Sequence, residues 1–221
     1  MKNLTLIVPA KNEPESLPIV LNELEKFEYK ICIVLHGTDT KTIESIKDYD
    51  VNIIYQKNFG YGDAIIEGIN NCNTEYFCIF NADGSFNPSE IDGMFESMQT
   101  RNLDFIFASR YESNSGSEDD TILTLIGNYI FTYIGKIFFR LNVSDILYTF
   151  LIGRTNKAKK LNLSQKDFSF CVELPIKAKK NEMKLGSINA FERKRIAGKK
   201  KVNAFKDGFL ILLHMIKLFF K

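Results

Sequence analysis

Asn81, Asp83 and Ser85 stand at alternate positions in Glu75-Tyr-Phe-Cys-Ile-Phe-Asn-Ala-Asp-Gly-Ser-Phe-Asn-Pro88. A hard divalent cation takes such oxygen ligands and commonly shares them with substrate phosphates. The apolar run 76–80 reads as a buried strand ending on these residues. Gly84 and Pro88 then break the chain, and Ser89-Glu90-Ile91 reads as a helix start. A carboxylate at the carboxyl end of a strand lies where open α/β sheets bind ligands. The pattern predicts a metal–diphosphate site, with Mg²⁺ or Mn²⁺ as the cation.

The elements that must position this site alternate along the chain. Apolar runs predict strands over 4–8, 30–35, 51–55, 76–80 and 105–108. Between them, helical periodicity covers 15–27, 40–49, 63–71 and 88–101. This order implies βαβ units, a mainly parallel sheet and helices on both faces. The second half differs. Residues 121–141 read as an amphipathic helix or helix pair and not as a membrane span, because Asn128, Lys136 and Arg140 interrupt the apolar runs. Residues 167–180 begin extended and become helical, 185–191 predict a strand, and 193–201 a basic loop. Residues 205–221 read as an amphipathic helix too short in its uncharged run to cross a bilayer.

The 221 residues suffice for one domain with a full core, and 45% hydrophobic with 25% charged residues is ordinary for a globular chain. The net charge of +2 hides an asymmetry: 9 Lys/Arg against 21 Asp/Glu through residue 120, and 20 against 6 thereafter. A basic second half suits phosphates, a membrane surface or nucleic acid, and equally a solvated Lys-rich surface. Cys32, Cys72, Cys78 and Cys171 show no metal-binding spacing and fit a reducing cytoplasm. The first apolar run is too short for a signal peptide and reads as a strand.

The order of motifs carries a resemblance. Val8-Pro9-Ala10-Lys11-Asn12-Glu13 resembles the V-P-x-x-N-E opening of family 2 glycosyltransferases, and Asn58-Phe-Gly-Tyr-Gly-Asp-Ala-Ile-Ile-Glu-Gly68 resembles their N-x-G-x-G-x-A-x-x-x-G segment. Asn81 to Pro88 resembles D-x-D with the following H-x-P, and Ala108-Ser-Arg-Tyr111 resembles G-S-R-Y. Asp145 to Phe150 resembles D-x-x-S-G-F, Phe168 to Leu174 contains F-x-x-E-L, and Arg195 to Lys201 resembles R-x-x-G-x-S-K. Seven weak motifs in order make a specific pattern. It is most similar to the dolichyl- or polyprenyl-phosphate sugar (mannosyl) synthase branch.

The resemblance implies an α/β GT-A fold over 1–204, with a nucleotide-sugar half (1–120), an acceptor half (121–204) and an appended helix (205–221). It implies inverting transfer from a nucleotide-diphosphate sugar with a divalent metal. Residue by residue, it places Asp83 on the metal, helped by Glu173, Asn81 and Ser85. Pro9, Ala10, Asn12 and Glu13 would line base and ribose, and Gly60 and Gly62 would allow close approach at a helix start. Arg110, Arg195, Lys199 and Lys201 would bind phosphate. The chain departs from the family where V-D-D-x-S becomes Val34-Leu35-His36-Gly37-Thr38, where Asn81 replaces an acid, and where Lys200 replaces a serine. His36 is then the candidate for the base.

A hydroxyl acceptor needs a general base, whereas a phosphate acceptor is already anionic and needs cations. Glu118-Asp119-Asp120 reads as solvated, so Asp145 is the fallback base. This favours a polyprenyl-phosphate acceptor at the cytoplasmic membrane face, with 205–221 lying in the interface and no nucleic-acid partner. For 121–141, core packing or a dimer contact competes with membrane contact. Two alternatives stay open: transfer to a hydroxyl of a cell-surface glycan, and a catalytically weakened binding or scaffold protein.

Overall fold

The computed structural model describes residues 3–113, 115–198 and 200–220. Its strands are β1 (Leu4–Pro9), β2 (Lys30–Leu35), β3 (Asn52–Tyr55), β4 (Tyr76–Ile79), β5 (Phe105–Ser109), β6 (Gly116–Ser117), β7 (Leu151–Arg154), β8 (Leu185–Asn189) and β9 (Phe191–Glu192). Its helices are α1 (Leu17–Leu24), α2 (Thr40–Ser45), α3 (Tyr61–Asn71), α4 (Glu90–Thr100), α5 (Ile122–Phe139), α6 (Thr155–Lys160), α7 (Phe170–Lys180) and α8 (Ala204–Phe219). Seven strands form one sheet in the order β3-β2-β1-β4-β7-β5-β8. Only β7 runs antiparallel to its neighbours, β4 and β5.

Residues 4–8 are all fully or nearly buried because both faces of β1 are covered, which explains its unbroken apolar run. Leu4, Leu6 and Val8 join a core with α1 and α4, while Ile7 on the opposite face joins one with α3, α7 and α8. The alternation is the two-residue period of the strand. All four cysteines are free and buried.

Most predicted elements are present; β6 was not predicted, the strand expected over 185–191 is divided into β8 and β9, and three further differences bear on the site. The α2 helix stops at Ser45 instead of reaching 49, because the chain turns at Ile46 and Tyr49 bonds back to α1 through Pro18 O and Asn22 Oδ1. The β7 strand and the α6 helix were not predicted: three buried residues and a half-buried arginine followed by a single basic turn show neither period for long enough. The third difference concerns α5, a continuous 18-residue helix long and apolar enough by composition to cross a membrane. Two of its polar residues, Asn128 and Thr132, nevertheless face the domain. Asn128 bonds Asp145 through Nδ2 and accepts from the Leu147 amide, and Thr132 Oγ1 accepts from the Ile146 amide.

Candidate active site

Parallel pairing of β1 with β2 and β4 brings three strand ends together: Pro9-Ala10, Leu35-His36 and Phe80 to Asp83. The order reverses at β1, between β2 and β4, so the crevice outside these carboxyl ends is a topological switch point. Asp83 Oδ1 accepts from the Ser85 amide at 3.0 Å and from Ser85 Oγ at 2.7 Å. Its Oδ2 lies 3.4 Å from Arg195 Nη1. Asn81 Oδ1 accepts from the Tyr61 hydroxyl at 3.2 Å, and Tyr61 also contacts Thr149 Oγ1 at 2.6 Å. Burial pushes the Tyr61 phenol well above its ordinary pKa, so it remains protonated beside Asn81.

The basic segment returns over this strand end. The Ile196 amide donates to Asp83 O at 2.8 Å and the Arg193 amide to Ser85 O at 2.8 Å. Gly84 has φ +80°, and a Cβ there would lie 2.4 Å from Ile196 Cδ1. Arg195 also grips Asp119 with two bonds, Nε at 3.1 Å and Nη2 at 2.8 Å. Lys200 Nζ lies 3.4 Å from the same carboxylate. Lys201 pairs with Glu13, whose other oxygen accepts from Ser16 Oγ at 2.7 Å. The expectation that Asp119 is solvated is therefore corrected: cations from about 80 residues later in the chain meet it. Lys199 lies outside the described residues.

Five expected site residues are engaged elsewhere. Arg110 was expected on phosphate, but its guanidinium is buried. It bonds Asp145 through Nε at 2.7 Å and Nη2 at 3.1 Å, and Glu192 through Nη1 at 3.0 Å. Asp145 is fully buried under Arg110 and Asn128, so it is enclosed by the fold and not presented as a base. Among the described residues a lysine and backbone amides, and no arginine, offset the burial of Glu173. Lys177 lies at 2.8 Å, and the amides of Ser164 and Gln165 donate to its carboxylate. Burial alone would raise its pKa, but Lys177 and these amides outweigh burial and hold it below the ordinary value. Among the described residues no bond links Glu173 to Asp83 or Asn81. Gly60 and Gly62 do allow close approach, but of the chain's own backbone: a Cβ would lie 2.0 Å from Lys166 O at Gly60 and 2.2 Å from Gln165 O at Gly62.

The β2 end is the departure from the family pattern. Leu35 is fully buried in the core, whereas His36 is half-buried and stacks on Phe59 with ring centroids 4.0 Å apart. Beside it, Ala10 is nearly buried and Asn12 takes φ 53°, with its amide held by Asp39 Oδ2 at 2.6 Å. Phe59, Tyr61, Thr149 and Asp119 were missed as site residues. Phe59 and Tyr61 lie inside the quoted glycine segment, where an aromatic flanking each glycine was the available signal.

A cation can be tested against the donor set at the β4 end. Among the described residues no cluster of three or more His, Cys, Asp or Glu could hold a metal alone. One carboxylate, one amide oxygen and one hydroxyl at alternate positions do fit a cation that completes its shell with water and phosphate. Among the described residues Asp83 Oδ2 meets a guanidinium at 3.4 Å, a cation standing where another could bind.

The sequence profile of Glycosyl transferase family 2 matches residues 5–161. A UDP-N-acetylglucosamine–dolichyl-phosphate N-acetylglucosaminyltransferase from Methanococcus voltae is 23% identical over 211 residues, covering 85% of this chain and 84% of that protein. An undecaprenyl-phosphate 4-deoxy-4-formamido-L-arabinose transferase from Photorhabdus laumondii is 28% identical over 105 residues, 41% of this chain and 32% of that protein. Glucosyl-3-phosphoglycerate synthase from Mycobacterium tuberculosis, solved with Mn²⁺, UDP and glucosyl-3-phosphoglycerate, superposes with a TM-score of 0.73 over 98% of this chain and 80% of that one. At 9% identity that likeness concerns the fold, which is GT-A.

Proposed function

The chain belongs to glycosyl transferase family 2 and is a glycosyltransferase, and from that membership we propose that it transfers a sugar, with inversion, from a nucleoside diphosphate to a polyprenyl phosphate at the cytoplasmic membrane face. In this reading residues 1–120 hold the donor, and the second half supplies cations and the membrane contact. The observation that carries the lipid acceptor is the apolar surface of α5 and α8. Ile122, Ile126, Tyr129 and Tyr133 on α5 and Phe205, Phe209 and Phe220 in and beside α8 are each more than half exposed. The two helices pack together, with Phe138 and Phe139 edge-to-face against Phe219. Lys136, Arg140, Lys206 and Lys217 lie on these helices or at their ends. Apolar side chains beside lysines suit the interface of an anionic bilayer. The acceptors named for the two relatives, dolichyl phosphate and undecaprenyl phosphate, agree with this reading.

In the reaction the acceptor phosphate oxygen attacks the anomeric carbon from the face opposite the nucleotide. The bond from that carbon to the diphosphate oxygen breaks with its electron pair. The phosphate is already anionic, so no base is required, and the burial of Asp145 is consistent with this. Asp83, with Asn81 and Ser85, would hold a divalent cation that neutralises charge on the leaving diphosphate. Arg195, Lys200 and Lys201 would exchange their carboxylate partners, Asp83, Asp119 and Glu13, for phosphate oxygens. Incubation with radiolabelled UDP- and GDP-sugars, Mn²⁺ and undecaprenyl or dolichyl phosphate tests the reading. Label should move into organic solvent. Label transferred but retained in water would instead support a glycan hydroxyl as acceptor. Absence of both turnover and nucleotide binding would leave only a binding or scaffold role.

A further inference from the structure

We propose that His36 reads the donor's base by donating a hydrogen bond to a keto oxygen, the opposite polarity from a base-reading carboxylate. This rests on the donor-site reading above. A nucleoside diphosphate is anionic at one end and a flat ring at the other. Asp83 with the basic segment forms the anion-binding end of the crevice. At the β2 end the stack on Phe59, with ring centroids 4.0 Å apart and an interplanar angle of 24°, holds the His36 ring in one plane. Phe59 is 64% exposed.

Two of the residues beside His36 are already committed. Leu35 is buried in the core. Asp39 is engaged by the Asn12 amide at 2.6 Å and, at the start of α2, by the Thr42 amide at 3.4 Å. The polarity of His36 follows from Thr38. A backbone N–H can only donate, and that of Thr38 donates to His36 Nδ1 at 3.3 Å. Thr38 Oγ1 lies 2.7 Å from the same nitrogen. Nδ1 is therefore an acceptor, and the neutral ring carries its proton on Nε2. Nε2 has no hydrogen-bond partner among the described residues. Its N–H matches a carbonyl oxygen of uracil or guanine and leaves the ring N–H of the base unread.

Calorimetric titration of the full chain in Mn²⁺ with UDP, GDP, ADP, the N3-methyl form of UDP, the N1-methyl form of GDP, and ribose 5-diphosphate tests this. UDP or GDP should bind about tenfold more tightly than ADP, the scale of one good hydrogen bond. The methylated form of the tighter ligand should stay within about threefold of its parent. His36→Ala should weaken that ligand about tenfold and leave ribose 5-diphosphate unchanged. The proposal is overturned if methylation abolishes binding, if ADP binds equally well, or if His36→Ala weakens ribose 5-diphosphate to the same extent. Binding of ribose 5-diphosphate without preference for any base would sink the base reading and spare the donor site. No binding by any of these probes would remove the donor site itself.

Discussion

Asp83→Asn keeps the acceptor for Ser85 but removes the charge that faces Arg195. Sugar transfer should fall by about 100-fold or more, the scale of losing one preorganised electrostatic contact, with an unchanged melting temperature. Activity within threefold of the parent would exclude Asp83 from the reaction. Glu173 gives a prediction of a different kind. Its carboxyl pKa is held below the ordinary 4.5 in the fold, so its charged form stabilises the native state above the unfolded pKa. That contribution is lost as pH falls through the folded value. Glu173→Gln should thus destabilise at pH 7, and the gap to the parent should shrink below about pH 4; urea denaturation at several pH values measures it. A gap constant from pH 7 to pH 3 would contradict this account. Asp83 and Arg195, quoted from separate motifs, do meet in space. The motif positions of Arg110 and Glu173 could not reveal that internal partners already engage them, since Asp145, Glu192 and the amides of Ser164 and Gln165 arrive through tertiary folding.

At the scale of elements, Arg110 ties the end of β5 to the Asp145 loop and to β9. Arg110→Met would leave the Asp145 carboxylate buried and unpaired, which costs about 3–5 kcal/mol. Urea denaturation should record that loss, and an unchanged midpoint would show the pair to be dispensable. Gly62→Ala would force α3 away from the backbone of 165–167, where a Cβ has 2.2 Å to Gln165 O. It should lower the melting temperature by several degrees, equivalent to about 1–3 kcal/mol. The strands of the first half were legible because each is a short apolar run between turn residues. The β7 strand was not, because its reversal inside a parallel sheet is fixed by pairing with β4 and β5 and not by its own four residues.

For the whole molecule, the exposed apolar faces of α5 and α8 predict binding to anionic vesicles that weakens with salt. Ile126→Glu combined with Phe209→Glu should reduce co-sedimentation with phosphatidylglycerol vesicles about tenfold. Both residues are more than half exposed, so stability should change by no more than about 0.5 kcal/mol per site. Equal sedimentation of parent and variant would argue against this surface. By itself the sequence determined the alternating βα order, the strand-end position of Asp83 and the family. These follow from local periodicity and from motifs a few residues long. Only the tertiary structure decided which charged groups face the crevice and which are bound internally. It also turned α5 from a helix open to core packing into half of an exposed apolar surface, and left His36 Nε2 without a hydrogen-bond partner among the described residues. Each of those outcomes depends on contacts between distant segments, and a side chain's chemistry is set by the partners that folding brings to it.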